Sequence, residues 1–434
     1  MSGTLIANTP IAVDFWRIQK KRHARLFFLS HMHSDHTAGL TSTWRHRIYC
    51  SPVTGKILHH QLQVKKSLIC SLELAVGHKI DLDELGLQTM TVTLIDANHC
   101  PGSVMFLFEG YFGTILHTGD FRYHPSMLQH PPLNNTRIDV LYLDNTNFSP
   151  NKKLPSREEA TKQIKDIIKE HPEHDVVFGL YKIGKEKLMV ELAKEFKSRI
   201  VVSPQKLELL NLLELEDVFE AGGGAGRISV VQESDVNRLN MNHWNQAHPT
   251  IAILPTSRPA KEWHKNYDVH VVPYSDHSSY QELQEFLNIL KPCSLEPIVK
   301  HQMCEVLLKD YAQPLKKPLL EIKVPPSVQV FMMGLGCPER YGQGKAAKRQ
   351  VVQAARQIPK GVVFEALEEH AHASKDLRGE LQSVLNSCAA GSLCHTEDCT
   401  NRPLSYGPKK NDGKKGRYSI LPRKCVPWRH IKKL

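Results

Sequence analysis

The sequence predicts an α/β fold, on three observations. The first 150 residues divide into short apolar runs of strand length, several of them closed by His or Asp. After Pro150 strands alternate with amphipathic helices, the pattern of a parallel layer. Beyond about Pro326 the hydrophobic periodicity fades, and a largely disordered C-terminal tail is expected.

In chain order, strands are predicted at 24–30, 91–97, 103–109, 113–117 and 138–143. Ser156-Arg157-Glu158-Glu159 is a capping box, and Ala160, Ile164, Ile167 and Ile168 behind it share one helical face. Residues 176–180 form the next strand, followed by a helix marked by Leu188, Leu192 and Phe196. Strands recur at 200–202, 228–231, 250–254 and 269–272. The Gly-rich stretch 221–226 lacks the Lys-Ser/Thr ending of a phosphate loop and reads as a connection. In the tail, only 362–364 and a helix at 375–385 stand out.

Composition narrows the class. Hydrophobic residues make up 41% and charged residues 23% of 434, as in soluble globular proteins. No apolar run reaches the roughly 18 residues of a membrane span, so no membrane association is expected. The first fourteen residues lack the regions of a secretory signal, which makes cytosol or nucleus the expected compartment. The ten cysteines are scattered, without a C-x-x-C pair, and read as reduced thiols. Of the net charge of +11, residues 401–434 carry +10 and residues 327–400 none, leaving +1 for 1–326. Charge therefore marks a basic tail. A nucleic-acid role for the body needs its own argument.

That argument starts at His31-Met32-His33-Ser34-Asp35-His36, directly after the strand at 24–30. Four ligand-type residues within six, on one loop at a strand end, can serve two cations: His31 and His33 one, Asp35 and His36 the other. Further ligands stand at other strand ends. Asn98-His99-Cys100-Pro101-Gly102 follows 91–97, and Thr118-Gly119-Asp120 follows 113–117. A carboxylate such as Asp120 can bridge two cations, so His99 and Asp120 complete a binuclear site.

These motifs, with Asp14 upstream, resemble the metallo-β-lactamase superfamily. Leu-Tyr-Leu-Asp144-Asn-Thr and Pro273-Tyr-Ser-Asp-His277-Ser-Ser are similar to its β-CASP nucleic-acid nucleases, and the opening Thr-Pro-Ile-Ala-Val-Asp-Phe-Trp and Lys360-Gly-Val-Val-Phe-Glu365 resemble the DNA-repair 5′ exonucleases among them. The resemblance covers roughly residues 5–300. It implies an αββα sandwich with an inserted parallel β-CASP domain. The implied boundaries are 1–155 for the first part of the sandwich, 156–271 for the insertion, 272–326 for the second part and 327–434 for the tail.

It implies roles as well. His31, His33, His99 and Asp120 hold the first metal, and Asp35, His36 and Asp120 the second. Asp14 orients a ligand from outside. Asp144 and His277 pair near the scissile phosphate, where His277 either donates a proton or completes the second site. Three histidines favour Zn2+ at the first site, and the oxygen-richer second site takes Zn2+, Mn2+ or Mg2+. RNA-processing β-CASP enzymes carry a further His where Val299 stands here, which favours DNA ends as substrate. The expected reaction is in-line hydrolysis from 5′-phosphorylated ends, by a monomer, in telomere-end protection and interstrand crosslink repair. An RNA endonuclease and a small-molecule hydrolase of the same superfamily are the alternatives. The roughly 120-residue insertion between Asp144 and His277 disfavours the second of these, and an intact ligand set disfavours a non-catalytic scaffold.

Two further sites are expected. Tyr181-Lys182-Ile183-Gly184-Lys185 opens a helix, and a helix N-terminus with a Lys is a natural 5′-phosphate site. Tyr181, Lys185, Ser203, Thr256 and Ser257 would line that pocket, since each follows a strand of one layer. In the tail, Tyr418-Ser419-Ile420-Leu421-Pro422 resembles the family's Tyr-x-Leu-x-Pro motif, with Tyr418, Ile420 and Pro422 as anchors. The resemblance implies docking to a shelterin telomere-repeat-binding factor. Lys409, Lys410, Lys414, Lys415, Arg417, Arg423 and Lys424 around it read as a nuclear import signal, placing the protein in the nucleus and at telomeres.

Overall fold

The computed structural model describes residues 3–17, 23–134, 136–222, 226–300, 311 and 322–334. The elements expected at 362–364 and 375–385 and the anchors Tyr418, Ile420 and Pro422 lie outside the described residues.

Two sheets build the first half. Strands β1 (Thr4–Leu5), β2 (Ile11–Val13), β3 (Leu26–Phe28), β4 (Ile48–Cys50) and β5 (Ile69–Ser71) lie in that order, parallel except for the β1–β2 pair. Helix α1 (Pro52–Leu62) starts at Ser51, whose side chain accepts from Thr54 N, with Pro52 at the first position where its missing N–H costs nothing. The second sheet uses β6 (Gly77–Asp81), β7 (Thr89–Asp96), β8 (Val104–Gly110), β9 (Gly113–His117) and β10 (Val140–Leu143), antiparallel from β6 to β9.

The chain then leaves for a separate all-parallel sheet. Helix α2 (Arg157–Glu170) begins at the Ser156–Glu159 capping box. It is followed by β11 (Asp175–Leu180), α3 (Glu186–Glu195), β12 (Ile200–Val202), α4 (Pro204–Asn211), β13 (Phe219–Ala221), β14 (Ile228–Gln232), α5 (Arg238–Ala247), β15 (Thr250–Pro255) and β16 (Val269–Val272). The strand order is β13-β12-β14-β11-β15-β16. After α6 (Tyr280–Leu290), strand β17 (Ser294–Pro297) pairs parallel with β10, so the chain re-enters the second sheet beside the strand it left. This return makes the parallel layer an insertion.

Packing gives the layers. Phe28, Phe106, Phe108, Val92 and Leu94 fill the space between the two sheets. Phe27, Ile48, Ile57 and Leu58 join the first sheet to α1, and Leu116, Leu141, Leu283 and Phe286 join the second to α6. The result is helix, sheet, sheet, helix, an αββα sandwich.

One departure from the expected limits occurs at the end of the body. Pro326–Met333 is helix α7, all but its first residue inside the stretch 327–434 expected to be tail. Val328 is fully buried in the inter-sheet core with Phe331 and Met332 against it. Ser327 Oγ donates to Asp83 Oδ2 at 2.7 Å and Arg25 Nε donates to the Phe331 carbonyl at 3.0 Å. An eight-residue helix this short carries too little periodicity to announce itself; contacts distant in sequence hold it.

Among the described residues, no helix is long and apolar enough to cross a membrane.

Candidate metal centre

The loops after β3, β7, β9 and β10 and the loop between β16 and α6 meet over the ends of the sandwich sheets. Their histidines converge. His31 Nε2 lies 2.9 Å from His33 Nδ1, which lies 3.0 Å from His99 Nε2. Asp120 Oδ2 is 3.8 Å from both His31 Nε2 and His99 Nε2, 3.1 Å from His36 Nε2 and 4.0 Å from His277 Nε2. Asp35, half exposed, reaches within 3.6 Å of His36 Nε2.

The outer face of each ring identifies its tautomer. His33 Nε2 faces the Ile183 carbonyl at 3.1 Å and His99 Nδ1 faces the Asp276 carbonyl at 2.9 Å. A carbonyl only accepts, so these nitrogens carry the protons, and Nδ1 of His33 and Nε2 of His99 point inward as lone pairs. Ser30 Oγ donates to Asp14 Oδ2 at 2.6 Å, so it accepts from His31 Nδ1 at 2.9 Å, and His31 Nε2 is a third inward lone pair. His36 Nδ1 donates to Asp14 Oδ2 at 2.7 Å, and His277 Nδ1 donates to Asp144 Oδ2 at 2.8 Å. Asp14 thus sits outside the ligands and orients His36 and, through Ser30, His31. Its backbone is left-handed, with φ 54°, and its Oδ1 accepts from Ser30 N at 2.8 Å.

Three lone pairs about 3 Å apart repel one another unless a cation sits between them. Two nitrogens 2.0–2.1 Å from one tetrahedral ion are about 3.3 Å apart, close to the spacing found. Buried Asp120 Oδ1 has no hydrogen-bond partner, a second mark of a missing electrophile. The donor set therefore fits metal binding: among the described residues, His31, His33, His99 and Cys100 form one group of possible ligands, His31, His36 and Asp120 a second, and His99, Asp120 and His277 a third.

Electrostatics agree. Burial, and then His36, His33 and the other nearby rings, hold the His31 pKa well below its ordinary value, and burial lowers that of His33. Burial and His277 bring His99 down to about 3. All three are neutral at physiological pH, the form that ligates. Burial opposes charge on His36, but Asp120 and Asp14 outweigh it and raise its pKa well above the ordinary value. The two carboxylates thus favour positive charge at His36. Burial likewise opposes a charged His277, yet Asp144 raises it to about 9. Asp144 is fully buried and also accepts from Phe121 N, Thr146 N and Thr146 Oγ1. Burial pushes the Cys100 thiol well above its usual range, so it stays protonated beside the histidines.

The loop after β7 needs its glycine. Gly102 has φ +81°, and a Cβ there would lie 2.9 Å from Thr54 N. Its carbonyl accepts from Ser51 Oγ at 2.6 Å and Thr54 Oγ1 at 2.8 Å, which ties the His99 loop to the start of α1.

The five residues expected to bind a 5′ phosphate are not gathered in the same way. Ser203 lies at the end of β12, two strands from β11 and three from β15, and its hydroxyl caps α4 by accepting from Lys206 N at 3.2 Å. Lys185 Nζ is paired with Asp276 Oδ2 at 2.6 Å. The Gly184 amide at the start of α3 is taken by the Glu186 carboxylate at 2.8 and 3.0 Å, where an anion would dock. Tyr181 and the Thr256–Ser257 loop do come together, because the Tyr181 hydroxyl bonds Arg258. Val299 offers no ligand: Asn145, next to Asp144, clamps its backbone N and O at 2.9 and 2.8 Å.

Sequence reading missed Ser30, Asp276, Arg157 and Glu186. Asp276 stands within the Pro273–Ser279 motif and was open to notice there. The carbonyls of Ile183 and Asp276 carry no side-chain signal at all.

Comparison with known proteins agrees with this architecture. Residues 12–202 match the beta-lactamase superfamily domain, and residues 232–303 match the family described as DNA repair metallo-beta-lactamase. The chain is 49% identical to the 5′ exonuclease Apollo of Gallus gallus over 92% of its own length and 84% of the relative. It is 51% identical to the 5′ exonuclease Apollo of Mus musculus, over 86% and 68%. It is 32% identical to the DNA cross-link repair 1A protein of Homo sapiens, over 68% of this chain and 30% of that protein.

Proposed function

This chain belongs to the DNA repair metallo-β-lactamase family, and from that premise we propose that it is a metal-dependent 5′-to-3′ DNA exonuclease. The observation that carries the reading is the convergence of the His31, His33 and His99 lone pairs on one point beside Asp120. His31, His33, His99, His36 and Asp120 would hold the cations, which when bound would supply an activated water and offset the charge that makes a phosphodiester resist attack. The first site suits Zn2+, and the second, with its carboxylates, Zn2+, Mn2+ or Mg2+.

The chain's own residues do the rest. Asp14 and the Ile183 and Asp276 carbonyls hold the ligand rings with their lone pairs inward. Asp144 keeps a proton on His277 Nδ1, which turns Nε2 towards Asp120 and the reacting phosphate. With Asp144 favouring its doubly protonated form, His277 can give the Nε2 proton to the leaving 3′ oxygen. The shortened strand keeps a new 5′ phosphate. The site lies beside a cavity of roughly 820 Å³ between sandwich and insertion, lined in part by Lys162, Lys165, Lys185, Tyr274 and Leu188.

Digestion of 5′- and 3′-labelled DNA decides this. Expected are early release of the 5′ label, progressive shortening of the 3′-labelled strand, arrest by chelator and recovery on adding metal. A 5′-phosphorylated end should be cut faster than a 5′-hydroxyl end. Internal cuts at the outset, or full activity in chelator, would overturn the assignment.

We assign the enzyme to the nucleus, to crosslink repair and to telomere ends. The relatives' names support crosslink repair, and the tail motif supports telomeres. Tyr418, Ile420 and Pro422 supply an aromatic and two apolar anchors, the kind of short segment that fills pockets on a folded domain. A peptide of residues 414–428 should bind the dimerisation domain of a telomere-repeat factor at micromolar concentration and lose that binding with Tyr418→Ala. Equal binding by the variant would leave the tail as a basic import or DNA-contacting segment only.

A further inference from the structure

We propose that Asp276 is a positioning residue for the first metal: through Lys185 and Arg157 it fixes the two carbonyls that hold His33 and His99 as ligands. This inference rests on the metal-nuclease reading above.

Two of the three inward lone pairs exist only because carbonyls on loops distant in sequence from His33 and His99 take the outer protons. Ile183 O lies on the loop between β11 and α3, and Asp276 O on the loop between β16 and α6. One ionic node sets the position of both loops. The Asp276 carboxylate, 12% exposed, receives Lys185 Nζ at 2.6 Å and Arg157 Nη2 at 3.3 Å. Arg157 also donates to Asn98 Oδ1 at 2.7 Å and to the Asn98 carbonyl at 2.6 Å, directly before His99. The node therefore ties the start of α2, the start of α3, the α6 loop and the His99 loop to one carboxylate.

The Ile183 side is braced a second time. Gly184 adopts φ +115°, which an L residue resists, and this turn aims the Ile183 carbonyl at His33. The fully buried Glu186 carboxylate holds Gly184 N, and Lys206 Nζ, 3.0 Å from it, also donates to the Lys182 carbonyl at 2.6 Å. An imidazole offers a lone pair at one nitrogen only, and the acceptor at the other nitrogen decides which. Shifting either carbonyl frees the ring to exchange tautomers and turn a proton towards the metal. Partners of this kind are worth about 10- to 100-fold in metal affinity.

The test uses the full chain and reads zinc affinity by competition with a chromophoric chelator, beside the melting temperature of the metal-free protein and steady-state DNA cleavage. Asp276→Asn is expected to raise the Kd of the tighter zinc site about tenfold or more. Lys185→Met leaves Asp276 paired with Arg157, so it carries the test if Asp276→Asn does not fold, and it should raise the Kd in the same direction. Lys185→Arg should restore it. With zinc in excess, KM for DNA of the Asp276→Asn chain should stay within about twofold of wild type, since that substitution leaves every basic side chain lining the cavity in place. An unchanged Kd with a lowered melting temperature would make the node a structural clamp alone and overturn the inference. A raised KM with an unchanged Kd would make Lys185 a substrate contact and overturn it too. A wild-type chain that holds no zinc against the chelator would instead overturn the metal-nuclease reading itself.

Discussion

Replacing Asp120 with Ala is expected to lower the exonuclease rate by about 10³-fold or more, equivalent to about 4 kcal/mol of transition-state stabilisation. Among the described residues, Asp120 is the one carboxylate within 4.0 Å of His31, His36, His99 and His277 alike, so its loss would remove a shared ligand from both proposed metal positions at once. The fold should survive. Asp120 Oδ1 makes no hydrogen bond, and the carboxylate is a buried charge whose stabilising partners are the histidines. Elemental analysis should find less than half the wild-type metal, and the metal-free protein should still unfold cooperatively, at a lower melting temperature because buried His36 loses one of its two carboxylate partners. A variant that keeps more than about a tenth of the wild-type rate would remove Asp120 from the chemistry, because a tenfold loss is only about 1.4 kcal/mol.

His277→Ala should cost about 10²-fold or more in kcat, within the usual range for a positioned general acid. Asp144→Asn should cost a similar amount, since the amide can no longer stabilise the imidazolium that Asp144 now raises to about 9. The pair acts through one proton, so the double variant should be no slower than the worse single variant. The sign of the pH effect follows from the raised pKa. The acid form is present below it, so the rate should fall as pH rises through the pKa of His277, and that alkaline limb should vanish in His277→Ala. Fully additive losses would separate the two residues. Loss of bound metal in His277→Ala, without loss of the alkaline limb, would make His277 a ligand and some other group the acid.

The residues that converge at the candidate centre were legible because each stands at a strand end in a short run of metal-binding residue types, and such runs are hard to explain otherwise. The longer strands were legible for a related reason: β7 and β8, at eight and seven residues, show their burial in their composition. Strands β2 to β5 were not, or only in part. At three residues each they are too short for any period, and the whole of β2 is buried. The five residues expected around a 5′ phosphate stand further apart than strand-end position suggests, because strand ends say nothing about strand order. Ser203 follows a strand like Tyr181, but β14 lies between them, and Glu186 and Asp276 had already engaged the donors.

Local chemistry along the chain determines which residues can bind cations, which loops carry them and that the middle of the chain is a parallel layer. Metal ligation is short-range and residue-specific, so a sequence displays it directly. The protonation pattern of the site is decided only by the tertiary structure. Which nitrogen of His33 or His99 faces inward depends on carbonyls 150 and 177 residues away, and every residue type has a carbonyl. Their placement follows from strand order, a buried ionic node and one left-handed glycine, none of which exists until the insertion has folded against the sandwich.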